Sequence, residues 1–238
     1  MGALSYRAHM AGIHDTAFVF LHASNRTAEA AWPLATQLPG ARFAVMPGYE
    51  GSVPEPFDQD RWESRLLDAC SAGSVIVAHS FGGPVAMRAA NRHRDLVRAL
   101  VLFEPAAYAL ARGAAAVEDH IARVQPVLDR APILGAGAFG TEFSEAISGA
   151  TVQRPETADA LLAAERQRML PGPWTLDTPT TIDVPTLVIT GGWNAEYETI
   201  AARLTGVTHV TLSGHGHRPQ AHPDAVQVVL DFVAATTW

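Results

Sequence analysis

Six short apolar runs constrain this chain more than any other feature. They are Thr16–His22 (TAFVFLH), Ala41–Pro47, Ser74–His79 (SVIVAH), Arg98–Glu104 (RALVLFE), Val184–Thr190 and Val207–Ser213. Each is rich in β-branched or aromatic residues and is bounded by glycine, proline or polar residues. They do not alternate polar with apolar, so both faces of each strand must be covered. Helical windows separate them, at Ala28–Gln37, Gln59–Ala69, Gly82–Asn91, Glu196–Leu204 and Pro223–Ala234. Strand and helix in repeated succession specify an α/β fold: a mostly parallel twisted sheet flanked by helices. A further strand, Leu4–His9, is expected at one edge.

The rhythm breaks between the fourth and fifth runs. Residues 108–181 hold no convincing strand, which predicts a helical insertion between two late strands. The expected organisation is a core of 1–107 and 182–238 and an insertion of 108–181. Within the insertion, the helical pattern after Gly113 is expected to break at Pro126. The stretch PILGAGAFGTEFSEAISGA reads as loose and glycine-rich. Pro155 and Glu156 suit the start of another helix.

Composition removes several functions. The formal net charge is −7, which argues against nucleic acid or an anionic membrane surface as a partner. Every basic residue other than histidine is an arginine, so Schiff-base and P-loop lysine chemistry are excluded. The single cysteine, Cys70, permits no intrachain disulfide and reads as a small filler. No apolar run is long enough to span a bilayer, and the N-terminus does not read as a secretory signal. The expectation is a cytoplasmic protein acting on a small molecule. The oligomeric state is open, a homodimer included.

The chemistry concentrates at AHSFGG (Ala78–Gly83). A strand running straight into a helix needs a tight reversal, which thrusts the side chain of Ser80 above the sheet edge. The residues two before and two after must be small, and Ala78 and Gly82 are. The helix that follows points its unpaired N–H groups at the same place. A serine needs a base to take its proton. His217, in LSGHGHRPQAHP, lies on a loop after the last strand, flanked by small residues.

These pieces resemble the α/β-hydrolase family. AHSFGG is similar to its nucleophile elbow, Gly-x-Ser-x-Gly, with Ala78 for the first glycine. His22-Ala23-Ser24 resembles its first loop, and VMPGYEGS its next, with Glu50 where glycine is more usual. Gly216-His217 resembles its histidine loop. The resemblance runs from about Thr16 to Phe232. It implies Ser80 as nucleophile, His217 as base, and the backbone N–H groups of Ser24 and Phe81 as an oxyanion hole. It implies no cofactor and no metal. His22 then reads as structural, and His215 and His222 as spare polar residues.

The acid departs from the pattern. The family usually has an aspartate just after the fifth run, and here Asn194 stands there. A neutral amide can orient an imidazole but cannot balance its charge; in serine proteases the Asp→Asn change lowers turnover by about 10⁴. Glu104 ends the preceding run, and ends of parallel strands open on one side. Some subfamilies, haloalkane dehalogenases among them, place their acid after this strand, so the resemblance gives Glu104 that role. Asn194 and Glu196 are second-rank acid or orienting candidates.

The expected function is hydrolysis of a carboxylic ester or related acyl bond of a small apolar substrate through an acyl-enzyme, with the insertion as lid. Trp174 and Phe139 either line its pocket or pack the insertion. A disarmed small-molecule binding protein, suggested by Asn194, and a carbon–carbon bond hydrolase or lyase using the same residues are the alternatives. A zinc site at His215, His217 and His222 would lack the aspartate that usually follows such pairs.

Overall fold

A computed structural model describes residues 16–236. The strand expected at Leu4–His9 lies outside them. Among the described residues six strands form one sheet: β1 (Phe18–Leu21), β2 (Arg42–Ala44), β3 (Ser74–His79), β4 (Val97–Phe103), β5 (Thr186–Thr190) and β6 (Thr208–Thr211). Their order is β2-β1-β3-β4-β5-β6, and every neighbouring pair is parallel.

The unbroken apolar runs are explained by two cores, one on each face. Val19, Leu21, Ile76, Ala78, Leu100 and Leu102 face one way and pack on Trp62, Leu66, Val85 and Met87. Their neighbours Phe18, Phe20, Val75, Val77, Val101 and Phe103 face the other way, onto Trp32, Val229 and Val233. This is the period-two geometry of a strand with both sides buried. The edge strands depart from it, with Arg42 of β2 and Thr208, His209 and Thr211 of β6 exposed, because each has a neighbour on one side only among the described residues.

From β1 the chain moves out to β2, then returns to place β3 on the other side of β1. Such a reversal opens a crevice at the carboxyl ends of β1 and β3, where ligands bind in open α/β sheets. Ser80 directly follows β3, and the His22–Ser24 loop follows β1.

Helices α1 (Ala28–Ala31), α2 (Gln59–Asp68) and α3 (Gly82–Arg92) precede β4. The first window splits: after α1 only a 3₁₀ turn, Ala35–Gln37, remains of the expected helix. Pro33 lacks a donor and keeps Trp32 out of helical geometry, at φ −130° and ψ 71°. Asp58 caps α2, its carboxylate accepting from the N–H groups of Asp60 and Arg61 at 3.0 Å each.

Among residues 108–181 no strand forms; the segment carries α4 (Ala115–Arg130), α5 (Ala136–Ser148) and α6 (Ala158–Arg168). Two expectations are corrected here. Helix α4 continues through Pro126, because Val117, Val124 and Val127 share a buried face whose packing outweighs the lost hydrogen bond. The glycine-rich stretch is helix α5. Its Gly140 lies so close to α6 that a Cβ there would meet Ala164 Cβ at 2.9 Å and Pro155 Cγ at 3.0 Å. The glycine that weakens the helix locally is what lets the two helices touch. Thr157 caps α6, accepting from Ala160 N–H at 3.2 Å. Helices α7 (Ala195–Arg203) and α8 (Ala225–Ala235) complete the described chain. No described helix is long and apolar enough to cross a membrane.

Candidate active site

The turn after β3 has the backbone its residue sizes imply. Ser80 sits at φ 51°, in the left-handed region that a non-glycine residue rarely enters. Its N–H donates to Phe103 O at 3.0 Å, and its carbonyl accepts from Gly83 at 2.8 Å and Ala106 at 2.9 Å. These bonds hold the strained residue in place, as strain at functional sites requires. Gly82 permits the turn: a Cβ there would stand 2.7 Å from the carbonyl oxygen of His22. The start of α3 and the loop after β1 therefore touch backbone to backbone.

The structure joins the first three candidates in a line. Ser80 Oγ donates to His217 Nε2 at 2.9 Å, and His217 Nδ1 donates to Glu104 Oε2 at 2.6 Å. Glu104 follows β4, as Ser80 follows β3, and it too has positive φ, 41°. Its N–H donates to Ile189 O at 2.8 Å, so β5 fixes the turn. The carboxylate is fully buried, but its other oxygen is satisfied. Gly191 N–H donates to Oε1 at 2.8 Å and Trp193 Nε1 at 2.9 Å. A buried charge with this many donors is tolerated without a full ion pair.

Neither second-rank candidate contacts the imidazole of His217. Asn194 Oδ1 caps α7, accepting from Glu196 N–H at 2.8 Å. Glu196 accepts from Tyr108 Oη at 2.9 Å, and its Oε1 lies 3.0 Å from His120 Nδ1. A short polar residue at this position meets the needs of a helix start, which accounts for asparagine there.

Ser24 and Phe81 line one cavity of about 200 Å³ together with Ser80 and His217. Both residues lie outside regular elements, and neither backbone N–H is engaged by another described residue. The loop carrying Ser24 is held by Tyr49, whose hydroxyl donates to Ser24 O at 2.8 Å. Glu50 takes φ 45°, the conformation that explains why glycine is the more usual residue there. Trp174 and Phe139 do not line the cavity. Trp174 donates to Gln125 at 2.8 Å, and Phe139 stacks on Phe143, which does reach the cavity.

Sequence reasoning missed three supports. Trp193 holds the Glu104 carboxylate. Tyr197 stacks on the His217 ring at 4.8 Å, with an interplanar angle of 21°. His79 donates from Nε2 to the backbone carbonyl of His217 at 2.8 Å and so fixes the histidine loop. His79 stands beside the nucleophile in AHSFGG, and a polar residue amid a buried run is the signal that could have found it. Cys70 is partly buried, and burial pushes its thiol up to about 11, consistent with a filler. His215 and His222 pack edge to face at 5.4 Å. No group of three or more described His, Cys, Asp or Glu residues is arranged to hold a metal ion.

His22 is buried between Tyr49 and Trp62, with ring centroids at 4.5 and 5.7 Å. Burial lowers its pKa from 6.5 to about 4, against the hydrogen bond with Ala23 O. Burial also holds His79 well below the usual range. The unfolded chain binds these protons before the native state does, so stability is full above pH about 6.5 and is lost as pH falls toward 4. His22 alone contributes about 3 kcal/mol to that loss. Urea denaturation at neutral and mildly acidic pH should show the fall, and His22→Phe should reduce it, leaving the part due to His79.

An α/β sheet with a serine at a strained strand–helix turn, facing a histidine from a late loop, defines the class. The chain belongs to the alpha/beta hydrolase family, whose sequence profile matches residues 18–227. Among solved structures it is similar to an epoxide hydrolase of the alpha/beta hydrolase superfamily from hot-environment metagenomes. That match has 18% identity, a TM-score of 0.63, and covers 94% of this chain and 92% of that one. It is similar to MenH from S. aureus at 16% identity and TM-score 0.63, covering 92% and 93%. A thermophilic esterase from Thermogutta terrifontis matches at 18% identity and TM-score 0.59, covering 93% and 90%. At these identities the likeness shows the fold. No curated protein matches the sequence.

Proposed function

We propose that this hydrolase is a serine hydrolase that cleaves a carboxylic ester or related acyl bond of a small substrate through an acyl-enzyme. The hydrogen-bonded line Ser80–His217–Glu104 carries the reading. Ser80 Oγ attacks the acyl carbonyl while His217 Nε2 takes its proton. The N–H groups of Ser24 and Phe81 receive the developing oxyanion; one such donor is typically worth about 10²–10³ in turnover. His217 then protonates the leaving group. Water, activated by the same imidazole, releases the acid. Glu104 keeps the ring in the tautomer with Nδ1 protonated and balances its charge in both half-reactions.

Residues 108–181 act as the lid over a core of 1–107 and 182–238. Val124, Leu128, Phe143 and Ile147 from that segment line the cavity, which favours an apolar acyl or leaving group. Epoxide hydrolysis is disfavoured, since it needs an ester-forming carboxylate where Ser80 stands. A fluorophosphonate probe tests the reading: it should label wild type on the peptide containing Ser80 and leave Ser80→Ala unlabelled. Failure to label the wild type favours the disarmed binding protein.

A further inference from the structure

A second carboxylate–imidazole pair faces the cavity that holds Ser80. His120, on α4, and Glu196, in the first turn of α7, are each 5% exposed, and both line that cavity. His120 Nδ1 lies 3.0 Å from Glu196 Oε1, which also accepts the Tyr108 hydroxyl at 2.9 Å. Burial opposes ionisation of Glu196, but His120, the Tyr108 hydroxyl and Asn194 together hold the carboxyl below its usual range. The His120 ring stacks on Tyr108 at 4.6 Å. Its Nε2 makes no side-chain hydrogen bond to another described residue, and the His120 side chain lines the cavity. The pair thus sets an imidazole beside a buried carboxylate, as His217 and Glu104 do, with no hydrogen bond from a described side chain at Nε2.

The two pairs are joined along one wall. Tyr197 Oη is 3.5 Å from His217 Nε2, and the Tyr197 and Tyr108 rings are 6.1 Å apart. Val124, Leu128, Phe143 and Ile147 also line the cavity.

We propose that the His120–Glu196 pair is a polar subsite that takes a hydroxyl group of the substrate, away from the bond that Ser80 attacks. This deepens the serine-hydrolase reading and rests on it for the position of the scissile bond. Nε2 of a neutral imidazole accepts, and Nε2 of a charged one donates; a hydroxyl satisfies either. A substrate carboxylate is disfavoured. It would join Glu196 in a cavity whose lining contains no arginine, in a chain with no lysine. A pure hydrocarbon chain would leave Nε2 desolvated and unpaired, which is costly. The preferred substrate is therefore a hydroxy-acyl ester or an ester of a diol.

The test is binding, so it does not depend on turnover. Ser80→Ala protein is titrated calorimetrically with methyl hexanoate, its ω-hydroxy analogue and its ω-carboxylate analogue. The hydroxy ester should bind about tenfold more tightly than the plain ester, one hydrogen bond's worth, with the carboxylate weakest. Adding His120→Leu should erase the preference, and adding His120→Gln, which keeps a donor toward Glu196, should restore part of it. Equal affinities in the Ser80→Ala protein overturn the proposal, as does a preference that survives His120→Leu. If His120→Leu fails to fold, the comparison of the three esters and the His120→Gln variant still decide. A hydroxyl preference in a wild type that fluorophosphonate does not label would keep the subsite and discard the hydrolase reading.

Discussion

Ser80→Ala is expected to lower turnover of p-nitrophenyl butyrate by about 10⁴–10⁶-fold, to the residual level supplied by the oxyanion donors and binding. The loss should fall on kcat, because the hydroxyl makes its decisive bond only as the reaction proceeds. Stability should move separately. Ser80 is held at φ 51° by backbone hydrogen bonds to Phe103, Gly83 and Ala106, so alanine inherits the strain. Ser80→Gly relieves it and should raise stability by about 1 kcal/mol while being as inactive as Ser80→Ala. Thermal melts of the two variants beside their kinetics check both halves. A Ser80→Gly protein less stable than Ser80→Ala would contradict the strain assignment.

Glu104→Gln is the second large effect, expected at about 10³–10⁴-fold in kcat. Glu104 Oε1 is the acceptor for Gly191 N–H and Trp193 Nε1. In the variant these two donors keep the amide oxygen on their side, which turns the amide NH₂ toward His217 Nδ1. An NH₂ there requires Nδ1 to be the acceptor, so the proton moves to Nε2, and the imidazole can no longer accept from Ser80. The fold should survive, because shape and most hydrogen bonds are kept. Asn194→Ala makes the contrast. It removes a helix cap, costing about 1 kcal/mol of stability, and should change kcat by less than about threefold. The reverse result, an active Glu104→Gln and an inactive Asn194→Ala, would return the acid role to the loop after β5.

The assignment of the acid shows what the sequence carried and what it did not. RALVLFEP marks a buried strand ending in a carboxylate, and the parallel order of the sheet puts that end beside Ser80. That much is local pattern plus topology. The support from Trp193 was not legible, because it depends on how the loop after β5 folds back over the β4 turn. His79 was equally hidden: its partner, the carbonyl of His217, lies 138 residues away. The four inner strands were legible because burial on both faces leaves an unmistakable apolar run. Helix α5 was not, since glycines such as Gly140 lower helix propensity locally while enabling packing on α6. Pro126 misled for the same reason: an unfavourable residue was overruled by the buried face around it. The pair His120–Glu196 lies 76 residues apart in sequence and meets only through the packing of α4 on α7.

The central claim is that Ser80 carries the acyl group between the two halves of the reaction. Rapid-quench mass spectrometry of the protein mixed with excess p-nitrophenyl butyrate tests it directly. The account predicts one butyryl group per chain, on the peptide containing Ser80, accumulating with a burst of p-nitrophenol if deacylation is the slower half. Hydrolysis at the wild-type rate by Ser80→Ala, or a butyryl group found on another residue that turns over at the steady-state rate, would contradict it.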